Sequence, residues 1–445
     1  MINGDDLLPV SDDEQPSESK LVMKPPPKEE PSAPSDDSVD DFSNNLPPDA
    51  RITINLLSYE KRGDGINAYL VYQIATFVSN IPGYTHPSYT VWRRFSDFLG
   101  LREKLVEKYQ AKGFLVPAAP EKSISALTKT KLNATAEEHS ANDVVDKRAR
   151  DLQRFLRRIA RHHQLVGDCD FRDFLTIDGE LPKAAFTSAL SSQSMKKMFR
   201  SFGDMFAKIA FPMDENDRWF EQVHSQVDEL DELMGRLLGS LDQLVGQRRD
   251  LTAADENFSR GLSMLASCEE NTTLARTLSK LAETHENLAM IEKHMTEQDS
   301  AIMLETFQEH ISLTNVMKEV FFERVKTWQN WQNQVQTLTK KREAKTRHEL
   351  AGKTDRANQY KDELIECEQK VDQMEKDFQA MSKVIQDEFK RSCQQRRDDI
   401  RSALLNYFDS LIESERQVLD QWEKFQPETR DGAVTPSVPP SNSLF

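Results

Sequence analysis

Between Met213 and Gln426 the sequence has no proline and only five glycines in 214 residues. With almost nothing to break a helical hydrogen-bond ladder, this stretch predicts long helices rather than a globular α/β or β fold. No run approaches the ~18 consecutive apolar residues of a membrane span, so any membrane contact is expected to be peripheral. The four cysteines, Cys169, Cys268, Cys367 and Cys393, stand far apart with no CxxC. That spacing predicts a reducing, cytosolic setting without disulfides or structural zinc. The basic-then-apolar pattern of a secretory signal is missing from the N-terminus. Also missing are GxSxG, a phosphate-binding glycine loop and HExxH, and His162-His163 has no metal-ligand partner at a useful spacing. A non-enzyme without a cofactor or metal is expected.

What is present is charge, unevenly spread. The chain has 445 residues, enough for two or three domains, of which 30% are charged, with a net charge of −16. Such a balance argues against a nucleic-acid partner. Residues 1–50 hold thirteen Asp/Glu against three Lys, and nine of the 19 prolines. A segment of this composition cannot bury enough apolar surface to offset ordering, and it is expected to be a disordered acidic tail. Its apolar islands, Leu7-Leu8 and Phe42, are either chance or a short docking motif for an adaptor. Outside the tail the acid excess is small, so the folded part can present basic patches.

Residues 51–177 read as a compact α+β domain. Ile52, Ile54 and Leu56 alternate as in a strand, and further strands are predicted near Tyr69–Phe77 and Tyr89–Trp92. A helix is predicted from an N-cap at Ser96 to about Tyr109. A proline-flanked loop, Pro117 to Pro120, precedes a second helix over about 142–163, with Leu152, Phe155, Leu156 and Ile159 on one face. Strand and helix meet at Arg93-Arg94-Phe95-Ser96-Asp97-Phe98. Two cations followed by a ring suit a phosphate with a flat sugar-like ring beside it. The bland alternative for Arg94 is a surface ion pair with Asp97, and the basic run Lys147, Arg148, Arg150, Arg154, Arg157 and Arg158 reads mostly as a solvated helix face.

Residues 183–211 form a separate amphipathic unit ending at Pro212. Met195, Met198, Phe199, Phe202, Met205, Phe206 and Ile209 share one helix face, opposite Lys196, Lys197, Arg200 and Lys208. The stripe either packs on the helices that follow or lies in a lipid interface, and the cation surplus favours the membrane. In the proline-free region, breaks near 270–273 and 352–355 divide three helices of roughly 50–75 residues. Leu364, Cys367, Val371, Met374, Phe378, Met381 and Ile385 follow alternating steps of three and four, a coiled-coil seam. The turn between the last two helices carries Lys340, Lys341, Arg342, Lys345 and Arg347. Residues 340–361 hold eight cations against three acids, a candidate contact for anionic lipid.

Taken together these residues resemble the sorting nexins with BAR domains. Residues 51–177 look like a PX phosphoinositide-reading domain, and 213–426 look like the BAR dimerisation and curvature module. A C-terminal tail, 427–445, is expected to be disordered. The Arg-Arg-Phe-Ser-Asp-Phe run, Pro-Glu-Lys-Ser at 120–123 and Lys-Lys-Arg-Glu-Ala at 340–344 resemble the branch of sorting nexins one and two. The resemblance implies a multidomain fold: a PX-like sheet of three strands plus helices, the amphipathic helix, then an all-α three-helix coil that dimerises. It also implies one headgroup pocket, with Arg94 on the 3-phosphate, Phe95 under the inositol ring, Lys122 near the 1-phosphate and Arg148 on the far hydroxyls. Arg93 and Asp97 are then left to shape the strand-to-helix turn. The usual double proline is Pro117-Ala118 here, which loosens the placement of Lys122.

The ligand so implied is phosphatidylinositol 3-phosphate, with the 3,5-bisphosphate as a second candidate, on a curved early-endosome membrane. The implied partners are a second copy or a sorting nexin of the five/six type, and the retromer trimer. The implied role is tubule formation for retrograde endosome-to-Golgi sorting. The competing reading is a cytosolic coiled-coil scaffold whose PX-like domain and acidic tail serve protein contacts.

Overall fold

A computed structural model describes residues 50–63, 68–120, 138–179, 181, 217–352 and 354–431. Lys122 and the whole amphipathic segment 183–211, with its membrane-insertion stripe and Lys196, Lys197, Arg200 and Lys208, lie outside the described residues, as do 1–49 of the expected acidic tail and 432–445 of the expected C-terminal tail. Residues 427–431 of the latter are helical rather than disordered, because the last helix runs on without a break to Asp431.

Strands β1 (Arg51–Arg62), β2 (Tyr69–Ser79) and β3 (Ser88–Arg94) form an antiparallel meander in the order β1-β2-β3. The register pairs Arg51 with Ser79 and Val71 with Arg94, and a bulge between Leu56 and Ser58 turns Leu57 out to solvent. Helix α1 (Phe95–Tyr109) follows β3 without a linking turn. Its N-cap is Arg94, not Ser96, because Asp97 reaches back to accept from the Arg94 N–H at 2.9 Å. That is the returning half of a capping box, and it starts the helix two residues earlier than the serine suggests.

Helix α2 (Glu138–Ala160) buries Leu152, Phe155, Leu156 and Ile159 against the sheet together with Ile54, Tyr72, Ile74, Val91 and Phe98. A short helix, α3 (Cys169–Thr176), adds Phe171, Phe174 and Leu175 to the same core. Asp168 caps it, accepting from Asp170 N–H at 2.8 Å and Phe171 N–H at 3.2 Å. Eight residues span little more than two turns, too few for an apolar repeat to show in the sequence.

The coil begins at α4 (Arg218–Cys268), capped by Asp217. Asn271 caps α5 (Thr272–Asp299), accepting from the Thr273 and Leu274 N–H groups at 3.0 Å, within the break predicted near 270–273. A π-turn (Ser300–Leu304) joins α5 to α6 (Glu305–Leu350), so one rod runs from Thr272 to Leu350. Gly352, at φ 69°, ends it in the left-handed region. The last helix, α7 (Thr354–Asp431), has 78 residues and continues past Gln426; at ~1.5 Å per residue it is on the order of 115 Å long.

On α7 the seam residues Leu364, Cys367, Val371, Met381 and Ile385 are buried, with Met374 and Phe378 half-buried. Met381 and Ile385 meet Phe220, Val223 and Val227 of α4 and Val316, Met317, Val320 and Phe321 of α6. Arg324 is buried at this junction, its guanidinium 3.5 Å from the Phe220 ring centroid and 4.8 Å from that of Phe378. Leu115, from the N-terminal unit, joins the same cluster, so sheet domain and coil share apolar packing.

Candidate functional site

The end of β3, the start of α1 and one face of α2 converge on a single small surface. Arg94 leaves β3 in an extended conformation, ψ 159°, and its Nε donates to Asp97 Oδ1 at 3.1 Å. The Arg94–Asp97 ion pair is therefore present. It holds Arg94 by Nε while the side chain stays 35% exposed. Phe95 follows, and the Arg148 guanidinium of α2 stacks over its ring at 5.2 Å. Arg148 is only 7% exposed, so this cation is desolvated and fixed before any ligand arrives.

Tyr72 of β2 lies beneath, fully buried and edge-on to Phe98 at 6.3 Å. Burial pushes its phenol up and the nearby Arg148 charge pulls it back in part, leaving a net rise, so Tyr72 stays neutral. Arg94, Phe95 and Arg148 thus form a surface of two oriented guanidiniums and an aromatic ring. Such a surface can grip an anionic oxygen and support a flat ring.

Arg93, the first cation of the hexapeptide, is not part of that surface. It is 1% exposed and points to the opposite side of β3. It donates to the carbonyls of Phe174 at 2.9 Å, Trp92 at 3.0 Å, Gly179 at 3.1 Å and Ile177. Burial lowers its pKa, but a guanidinium so far above neutrality stays charged. Arg93 therefore ties the end of α3 to the sheet.

The cations on the basic face of α2 are paired rather than simply solvated, although Arg150 and Arg157 stay exposed. Arg150 and Arg154 both reach Glu305 on α6, at 2.7 and 2.8 Å. Arg158 bridges Glu309 at 2.8 Å and Asp399 of α7 at 2.7 Å, and Lys147 donates to Gln308 at 3.0 Å. Arg157 turns back to β1, donating to Ile54 O at 2.9 Å and Asn55 Oδ1 at 2.7 Å. His162 sits 3.0 Å from Glu388 of α7, which also accepts from the Leu115 N–H at 3.0 Å. The acids lie roughly 150 to 240 residues away in sequence, so no local pattern on α2 could reveal them.

The turn between α6 and α7 is less basic than residues 340–361 suggest. Lys341 pairs with Glu363 at 3.0 Å, Arg342 with Glu368 at 2.7 Å and Lys345 with Glu349 at 3.5 Å. Lys340 and Arg347 are exposed. The antiparallel return of α7 sets acids beyond residue 361 opposite the cations, making a surface of mixed sign. Near α3, Asp168, Cys169 and Asp170 bring three potential metal-ligand atoms within 4.8 Å of one another. Lys104 holds Asp170 at 2.6 Å and Lys108 holds Asp168 at 3.0 Å, so ammonium groups already balance both carboxylates. Among the described residues no helix is long and apolar enough to cross a membrane.

The chain is similar to known proteins along most of its length. Residues 81–178 match the PX domain model, and residues 195–428 match the model described as Vps5 C terminal like. Mouse sorting nexin-1 is 38% identical over 379 residues, 85% of this chain and 72% of the relative. Bovine sorting nexin-2 is 37% identical over the same length, with the same coverage. The cryo-EM structure of the SNX-BAR Mvp1 tetramer superposes with a TM-score of 0.52 at 20% identity, covering 84% of this chain and 99% of that one, which supports the fold alone. With a three-stranded PX sheet leading into a long helical coil, and that identity over most of both chains, this protein belongs to the sorting nexins with PX and BAR domains, in the branch of sorting nexins 1 and 2.

Proposed function

We propose that this membrane-associated sorting nexin binds phosphatidylinositol 3-phosphate through Arg94, Phe95 and Arg148, with Lys122 as the fourth contact. The observation that carries the proposal is Arg148 stacked on Phe95 at 5.2 Å, next in sequence to an Arg94 held by Asp97. Forked donors oriented beforehand lose little entropy on meeting a phosphate. The 3,5-bisphosphate is a second candidate ligand. A single pocket is a modest anchor, and each exposed cation near an anionic surface adds ~1 kcal/mol at best. The segment 195–209 adds apolar burial in the lipid interface at ~25 cal/mol per Å². Pairing of two chains, as a homodimer or with a sorting nexin of the five/six type, makes the second engagement intramolecular.

In this reading the dimer sits on the cytosolic face of early endosomes, holds curved membrane and forms tubules. It works with the retromer trimer in retrograde sorting to the Golgi. Liposome sedimentation with and without phosphatidylinositol 3-phosphate, at two vesicle diameters, tests it. Arg94→Ala is expected to lower lipid-dependent pelleting by about tenfold or more, and Phe202→Glu to abolish tubulation. Full lipid-dependent pelleting by Arg94→Ala would overturn the pocket and favour a protein scaffold, for which Arg94 is indifferent.

A further inference from the structure

Helix α2 carries two functions on two faces. Arg148 stacks on Phe95, and Arg150, two residues later and therefore about 200° around the helix, reaches Glu305 on the coil. Glu305 is 2% exposed and lies between the Arg150 and Arg154 guanidiniums at 2.7 and 2.8 Å. It directly follows the π-turn, where the helical ladder widens. The Glu305 N–H donates to Ser300 O, five residues back, rather than to Ala301 O, its partner in a regular helix. The Ala301 carbonyl instead receives Arg154 Nη2 at 2.9 Å. Carboxylate and turn carbonyl thus present a paired acceptor to the same guanidinium.

Apart from the Lys147–Gln308 hydrogen bond, the remaining coil contacts of α2 lie toward or beyond its C-terminal end. They run through Arg158, Arg161 and His162 to Glu309, Asp399 and Glu388. Among the described residues Glu305 is the ion-pair partner on the coil for the α2 cations nearest in sequence to Arg148, beside the hydrogen bond from Lys147 to the uncharged Gln308 at 3.0 Å. We propose that Glu305, aimed by the π-turn, is the positioning residue that fixes the angle at which the headgroup surface is held on the coil. Lipid identity and membrane shape are then read together rather than in succession. The proposal rests on the lipid reading above for its consequence, but not for the docking itself.

The test uses the full chain with Glu305→Gln, and separately with Arg150→Gln plus Arg154→Gln, in case burial of the glutamine disturbs folding. Spin labels at the exposed Cys169 and at a cysteine replacing the exposed Ser312 report the angle between sheet domain and coil, with Cys268, Cys367 and Cys393 changed to serine. A narrow distance distribution is expected for the parent and a broadened or shifted one for both variants. Affinity for soluble inositol 1,3-bisphosphate is expected to stay within about twofold, since the pocket is not touched. Preference for small over large phosphatidylinositol 3-phosphate vesicles is expected to fall by about tenfold, because fewer contacts engage at once. An unchanged distribution in both variants, or an unchanged size preference, overturns the proposal. If the parent itself ignores phosphatidylinositol 3-phosphate, the lipid reading fails, and the distance measurement still decides whether Glu305 fixes the angle.

Discussion

His162 lies 3.0 Å from the Glu388 carboxylate through Nε2, while its Nδ1 accepts from the N–H groups of Gln164 at 3.2 Å and Leu165 at 3.4 Å. This environment selects one neutral tautomer, with the proton on Nε2. A second proton on Nδ1 would face two backbone donors. Burial lowers the His162 pKa against the pull of Glu388. Glu388, despite its burial, is held at about 2 by His162 and Arg391. His310, packed on the same interface among Arg158, Glu309, Asp399 and Arg396, is lowered to about 4 by burial and the Arg158 charge.

A pH dependence follows with a definite sign. The unfolded histidines take up protons near pH 6.5, whereas the folded ones do so only at lower pH, so stability is full above about 6.5 and falls as the pH drops. For His310 the window is about 6.5 down to about 4, at ~1.4 kcal/mol per pH unit. The Glu388 contribution is present above its unfolded value of 4.5 and is lost only between 4.5 and about 2, outside most of that window. Thermal unfolding at pH 7.5, 6.5 and 5.5 is expected to show a falling Tm, with a flatter profile for His310→Gln. An equal slope in that variant would remove His310 as the cause.

Arg93 and Arg94 are neighbours with opposite expectations. Removing the buried Arg93 leaves the buried Phe174 carbonyl and the part-buried carbonyls of Ile177 and Gly179 without their donor. Arg93→Ala is expected to destabilise the sheet domain by ~3–5 kcal/mol. Arg94→Ala removes a half-exposed ion pair and is expected to cost at most ~1 kcal/mol of stability while weakening vesicle binding. Denaturant unfolding and liposome pelleting, run on both variants, separate the two roles. If Arg93→Ala folds normally and loses only lipid binding, Arg93 belongs to the pocket after all.

Local features were legible where the signal was local. The alternation of Ile52, Ile54 and Leu56, the helix break near 270–273 and the seam from Leu364 to Ile385 all stand in the structure as the sequence suggests. Each rests on a repeat or cap within a few residues. The start of α1 was misplaced because a serine is a better cap in isolation, whereas here Asp97 secures the turn from N3. The roles of Arg93 and the α2 arginines were not legible. Their partners are carbonyls about 80 residues away and carboxylates on another domain. A surplus of arginine on one helix face is the same string of letters whether water, lipid or a buried glutamate faces it.

Gly113 marks a close backbone approach between sheet domain and coil. Its φ is 95°, and a Cβ there would lie 2.8 Å from Met381 O and 3.0 Å from a side-chain carbon of Ile385. Both the left-handed backbone and the clash with a helix carbonyl oppose any side chain. Gly113→Ala is expected to cost ~1–3 kcal/mol and to loosen docking, read as faster amide exchange at 113–116. Unchanged exchange would mean that the interface yields there without penalty.

Leu237, Leu244, Leu251, Phe258 and Leu265 stand seven residues apart on α4, all between 37% and 54% exposed. Leu405, Ile412 and Leu419 repeat the same spacing on α7, with Phe408 and Trp422 nearby, also exposed. A seven-residue apolar repeat is the signature of a seam that packs against another helix. Within one chain this seam faces outward, and an exposed apolar strip of such length marks an association surface. A second copy of the chain is the expected occupant, since two-fold symmetry would set the same strip against itself. Leu251→Glu with Phe258→Glu places charges in the middle of the seam, and sedimentation equilibrium is expected to shift from dimer to monomer by about 2–5 kcal/mol of association energy. Affinity for the soluble headgroup is expected to hold while vesicle binding falls, because the pocket remains intact and only its doubling is lost. A variant that stays dimeric would mean that the chains associate through another surface.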